Sequence, residues 1–115
     1  MQSKKNKNEI AKFDKEYGMC EALAQNGNAV EYLIDRDSSY DIHLNGIKAD
    51  LKKTSSHNNM VHYAKAAIRE QGAEMVVFEF EIMTDKIHEE LNRLKRLGIK
   101  FIYFTSTNKN IIKEA

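Results

Sequence analysis

The sequence predicts an α/β fold: a central mixed β-sheet flanked by helices, in the order α-β-β-β-α-β-α-β. Three observations carry this. Segments with apolar residues three and four apart alternate with short runs of β-formers, an Asn-Gly pair joins two alternating stretches, and Met75-Val76-Val77-Phe78 reads as a strand covered on both faces. At 115 residues, 42% of them hydrophobic, the chain is long enough for a core without disulfides. A single domain over residues 9–115 is expected, behind a basic start over 1–8 that reads as disordered or tag-like.

Taken in order, Ile10, Phe13, Tyr17, Cys20, Leu23 and Ala24 give a helix from about Asn8 to Asn26, stopped by Gly27 and weakened by Gly18. Ala29 to Asp35 reads as a strand, and Arg36-Asp37-Ser38-Ser39 as the loop after it. Tyr40 to Leu44 and Ile47 to Lys52 alternate on either side of Asn45-Gly46, the strongest short hairpin signal. A helix with Met60, Val61, Ala64, Ala67 and Ile68 follows over 58–72, with Ser and Asn as capping candidates. A strand over 74–82, a helix over 85–97 striped by Ile87, Leu91, Leu94 and Leu97, and a strand over 100–105 complete the order. Residues 106–115 carry no decisive pattern.

Several function classes are excluded or weakened by composition. A net charge of +1 argues against binding nucleic acid through bulk basicity, though not through a local patch. No apolar run approaches the roughly 18 residues that span a bilayer, so no membrane partner is expected, and no export signal is recognisable. The lone Cys20 reads as a buried thiol. His43, His57, His62 and His88 lack zinc-site spacing, and no phosphate loop or nucleophile elbow is present.

The hairpin carries the chemistry. A two-residue turn at Asn45-Gly46 sets Leu44 against Ile47, Ile42 against Ala49 and Tyr40 against Leu51 on a core face. The opposite face then carries His43/Lys48, Asp41/Asp50 and Ser39/Lys52. Facing aspartates repel. Either Lys48 and Lys52 offset them on a solvated face, or both bind a divalent cation, since Mg²⁺ is commonly held by one or two carboxylates with water and phosphate. Asp50-Leu51-Lys52 also puts an acid and a lysine on one face, which suits activation of a water beside a phosphate.

An acid, a short hairpin and then Asp-x-Lys, between a helix and strand and a second helix and strand, resembles the PD-(D/E)XK nuclease superfamily over roughly residues 9–82. The resemblance implies a restriction-endonuclease-like core that cuts phosphodiester bonds with Mg²⁺ or Mn²⁺. It implies Asp41 and Asp50 as metal ligands and Lys52 as the lysine that positions the attacking water. Glu16, spaced with Cys20, Leu23-Ala24 and Gly27 as in many relatives, is implied as a helix carboxylate that joins the metal, with Glu21 in reserve. Tyr40 stands where the motif name has Pro.

Gln71, at the end of the second helix and before Gly72-Ala73, is similar to a Gln in contact-dependent growth inhibition toxins and related transfer-RNA nuclease domains, and is implied to support the lysine or phosphate. That likeness implies an RNA nuclease toxin domain acting in the cytoplasm, a fragment of a larger secreted toxin, and an immunity protein as partner. A DNA endonuclease of resolvase or restriction type and an inactive interaction module remain as alternatives. Lys86, Arg93, Lys95, Arg96 and Lys100 offer a basic patch for a nucleic-acid backbone, and Ser55 to Asn59 a polar lining beside a helix N-terminus.

Overall fold

The structure, a computed structural model, describes residues 7–33 and 40–114, with side chains described from residue 14 onward except at 110, 111 and 114. Its elements are α1 (Lys7–Gln25), β1 (Val30–Tyr32), β2 (Ile42–Leu44), β3 (Ile47–Thr54), α2 (Met60–Arg69), β4 (Met75–Phe80), α3 (Asp85–Arg96), β5 (Phe101–Thr105) and β6 (Asn108–Glu114). The strands form one mixed sheet in sequence order, β1 to β6. β1, β2 and β3 are antiparallel neighbours, β3, β4 and β5 are parallel, and β6 returns antiparallel on β5. This is the expected α/β architecture with one strand more than expected. The tag-like start falls on residues 1–6, which lie outside the described residues, and on Lys7 and Asn8, which are helical. The loop expected over 36–39 also lies outside them.

β4 explains the two-layered core. All six of its residues are buried, and their alternation sends Met75 and Val77 to one face and Val76, Phe78 and Phe80 to the other. The first face packs against Met19, Cys20, Ala22 and Leu23 of α1, together with Ile42, Leu44, Ala49 and Leu51. The second packs against Met60, Ala64 and Ala67 of α2 and Ile87, Leu91 and Leu94 of α3. Phe78 and Phe80 stack there with ring centroids 5.4 Å apart, and burying each contributes about 1.5–3 kcal/mol.

α1 runs unbroken through Gly18, and its buried stripe is rotated from the expected one. Tyr17 and Ala24 face solvent, while Glu16, Met19 and Ala22 are buried. At α2 the expected side-chain cap is not made: Asn59 sits in the left-handed region with φ 63° and caps no N–H through its side chain. α3 is capped by Thr84, whose hydroxyl accepts the Ile87 N–H at 3.2 Å, a bond worth about 1 kcal/mol. Leu97 and Ile82, expected on buried patterns, are exposed because α3 and β4 end before them. No described helix is long and apolar enough to cross a membrane.

Candidate active site

Asn45 and Gly46 both take positive φ, 52° and 82°, as a primed two-residue turn requires. The ladder therefore pairs Leu44 with Ile47, His43 with Lys48 and Ile42 with Ala49. It departs from the expected register at the next rung. The Asp41 N–H donates to the Ala49 carbonyl at 3.1 Å, so Asp41 and Ile42 both answer to Ala49. One extra residue of this kind redirects the side chains behind it. Tyr40, expected against Leu51 on the α1 face, instead lies with His43 and Lys48 and packs at the edge of the α2/α3 layer.

The bulge also replaces the expected Asp41/Asp50 rung with a different contact. The Leu51 N–H donates to Asp41 Oδ2 at 2.9 Å, so Asp41 reaches the peptide that joins Asp50 to Leu51. Both aspartates are buried, at 5% and 2% exposure, and Glu16 on α1 is buried at 4%. A solvated, charge-mixed face is thus not what forms at Asp41 and Asp50. Glu21 is exposed, which leaves Glu16 as the helix carboxylate turned inward. Tyr32 donates its hydroxyl to Glu16 Oε1 at 2.6 Å.

Tyr63 of α2 links Asp50 to Lys52 and was absent from the expected site. Its hydroxyl lies 2.9 Å from Asp50 Oδ2 and 2.9 Å from the Leu51 carbonyl, two acceptors for one proton. The Lys52 ammonium, on an exposed side chain, lies 5.0 Å from the centre of the Tyr63 ring, within cation–π range. Burial, then Asp50, and then Asp41 and Glu16 push the Tyr63 phenol far above its usual range, so it stays a donor. The sequence held a signal for it. Tyr63 lies three residues after Met60 and four before Ala67, beside the buried stripe of α2, where an aromatic body with a polar tip needs a partner.

Cys20 is buried and its thiol is pushed up to about 11 by burial, then by Glu16 and Asp41. It is an inert thiol, as expected. Cys20 and Tyr63 stand on opposite layers, and both sense Glu16 and Asp41. Gln71, half-buried, takes part through its backbone: its carbonyl accepts the Tyr40 N–H at 3.1 Å. The Ser55–Asn59 segment bonds within itself, Thr54 Oγ1 accepting the Ser56 N–H at 3.1 Å and Ser56 Oγ the Asn58 N–H at 3.0 Å. Lys86, Arg93, Lys95, Arg96 and Lys100 are all exposed.

Among the described residues, no three His, Cys, Asp or Glu side chains are grouped as a ready set of metal ligands. The donor chemistry nevertheless suits a hard divalent cation. Asp41 and Asp50 are buried oxygen donors joined through one peptide, and Mg²⁺ or Mn²⁺ needs only one or two carboxylates beside water and phosphate.

No protein-family model matches the chain, and no curated protein matches it. Among solved structures it is similar to the CdiA-CT/CdiI toxin and immunity complex from Burkholderia pseudomallei. The TM-score is 0.71 at 17% identity, over 100% of this chain and 92% of that one. The shared fold is what that likeness establishes.

Proposed function

We propose that the chain is a metal-dependent endonuclease hydrolysing phosphodiester bonds in RNA, transfer RNA above all, and that it serves as the toxin domain of a contact-dependent growth inhibition protein. One observation carries this reading. Buried Asp50 and exposed Lys52 meet through Tyr63, with buried Asp41 bonded to the adjoining Leu51 N–H. The likeness to a toxin and immunity complex supports the toxin role, and with it an immunity protein as partner and an origin as a fragment of a larger secreted toxin.

Asp41 and Asp50 would hold Mg²⁺ or Mn²⁺, with Glu16 assisting from α1. When bound, the ion stabilises negative charge developing on the phosphate. Lys52 positions the attacking water by donating to it. Tyr63 holds the Asp50 carboxylate in place from behind, so that its orientation does not depend on the substrate. Gln71 supports the arrangement by fixing the Tyr40 backbone, and with it the bulge at Asp41.

The test is cleavage of transfer RNA and of plasmid DNA by the purified chain with Mg²⁺, Mn²⁺ or a chelator, beside Asp50→Asn and Lys52→Ala. The expected result is metal-dependent cutting of transfer RNA, reduced about 100-fold or more in both variants. Cutting of plasmid DNA alone would indicate a DNA endonuclease. Cutting of neither, by a folded protein, would indicate an interaction module on a nuclease-like core.

A further inference from the structure

Tyr63 is held from the core and reaches two groups of β3 at once. Asp50 and Lys52 pair with Val76 and Phe78 of β4, so both side chains fall on the α2 side of the sheet, about 7 Å apart along the strand. Phe78, fully buried, meets the Tyr63 ring edge-on, with centroids 6.3 Å apart at 61°, and is itself stacked on Phe80. The ring is therefore set by packing. It stands on a helix whose Met60, Ala64 and Ala67 are buried before and after it in the chain.

The two ends of this side chain have different partners. The hydroxyl gives its proton to Asp50 Oδ2 and the Leu51 carbonyl, each 2.9 Å away. Leu51 in turn gives its N–H to Asp41 Oδ2 at 2.9 Å, so both aspartates are referenced to the main chain of one residue, Asp41 directly and Asp50 through Tyr63. A carboxylate that ligates a cation is oriented by the hydrogen bond behind it. The ring instead faces the Lys52 ammonium at 5.0 Å, and a ring face restrains a cation without neutralising it. Lys53, the next residue, is held at 3.5 Å by the Glu79 carboxylate, a charge that cancels its own.

We propose that Tyr63 is a positioning residue with two separable tasks: its hydroxyl orients Asp50 for a divalent cation, and its ring orients Lys52 toward the same centre with its charge intact. This rests on the nuclease reading of Asp41 and Asp50. Phenylalanine at this position would keep the ring's task and lose the hydroxyl's, and leucine would lose both.

The experiment compares the full chain with Tyr63→Phe and Tyr63→Leu through two readouts that need no turnover. Calorimetry gives the Mn²⁺ affinity, and nuclear magnetic resonance gives the shift of the Lys52 ε-methylene protons, which a ring face moves upfield. Tyr63→Phe is expected to weaken Mn²⁺ binding about tenfold and keep the upfield shift. Tyr63→Leu should weaken Mn²⁺ as much and lose the shift, and its kcat on transfer RNA at saturating Mn²⁺ should fall about twofold to fivefold below that of Tyr63→Phe. If the unsubstituted chain binds Mn²⁺ and cuts RNA while Tyr63→Phe binds Mn²⁺ as tightly, with only its melting temperature lowered, the hydroxyl is merely structural and the proposal is overturned while the nuclease reading stands. A Lys52 signal at its ordinary position in the unsubstituted chain overturns the ring's task, whether or not Tyr63→Leu folds. If the unsubstituted chain neither binds Mn²⁺ nor cuts, the proposal and the nuclease reading both fall.

Discussion

Glu79 and Asp50 are buried carboxylates on neighbouring parallel strands, exposed to only 1% and 2%, and the described groups that meet them differ. Glu79 Oε2 accepts the Ser106 hydroxyl at 2.6 Å and has Lys53 at 3.5 Å and Lys109 at 4.0 Å, so β3 and β6 are tied to β4 by opposite charge and the turn into β6 by a hydrogen bond. At Asp50, Asp41 and Glu16 the described hydrogen bonds come from neutral groups: a phenol, a main-chain N–H and a second phenol. Lys52, next in chain to Lys53, rests over an aromatic ring and stays exposed. A buried acid closed by lysines is a fastening. Buried Asp41 and Asp50, joined through one peptide with Lys52 nearby, are the hard oxygen donors that suit a divalent cation.

Substitutions at the two places should therefore fail in different assays. Lys52→Ala is expected to lower phosphodiester cleavage about 100-fold or more while leaving the melting temperature within a degree or two, because its exposed ammonium contributes little to folding. A matching loss of stability in a melting curve would mean that Lys52 is structural. Glu79→Ala should do the reverse. Chemical denaturation should show a loss of about 1–3 kcal/mol, discounted for the partial exposure of both lysines, with kcat of the folded fraction retained.

A smaller effect is expected at high pH. The Cys20 thiol is raised from 9.0 to about 11 in the folded chain, by burial first and then by Glu16 and Asp41. The folded state holds this proton more tightly than the unfolded one, so the contribution is complete below pH 9 and is lost as pH rises through about 11. Stability measured by denaturant titration should fall over that window, and Cys20→Ala should flatten part of the fall. An unchanged slope in Cys20→Ala would contradict the burial of the thiol.

How much of this was legible in the sequence follows from where local rules govern. The Asn45-Gly46 turn sets its own backbone signs, so the register through Ile42/Ala49 could be read directly. The bulge at Asp41 could not, because it depends on the Asp41 carboxylate taking the Leu51 N–H across the hairpin and on the Gln71 carbonyl, beyond α2, taking the Tyr40 N–H. The rotated face of α1 has a similar origin, since Glu16 turns inward toward Tyr32 and brings Met19 and Ala22 with it. β6 carries Asn108-Lys109-Asn110 before any apolar residue and pairs with β5 through an irregular register, so alternation never marked it. Glu79 was hidden within an apolar run whose partners lie on β3 and beyond β5. Asp41, Asp50, Lys52 and Glu16 were legible as candidates by motif; the linkage of Asp50 to Lys52 through Tyr63 was not.

The central claim, that the Asp41/Asp50 cluster takes up a divalent cation while Glu79 does not, is tested most directly by calorimetric titration of Mn²⁺ into the full chain and into Asp50→Asn, Asp41→Asn and Glu79→Gln. Saturable binding near one equivalent is expected in the unsubstituted chain and in Glu79→Gln, with its loss in both aspartate variants. Binding that survives Asp50→Asn, or that disappears only in Glu79→Gln, would contradict it.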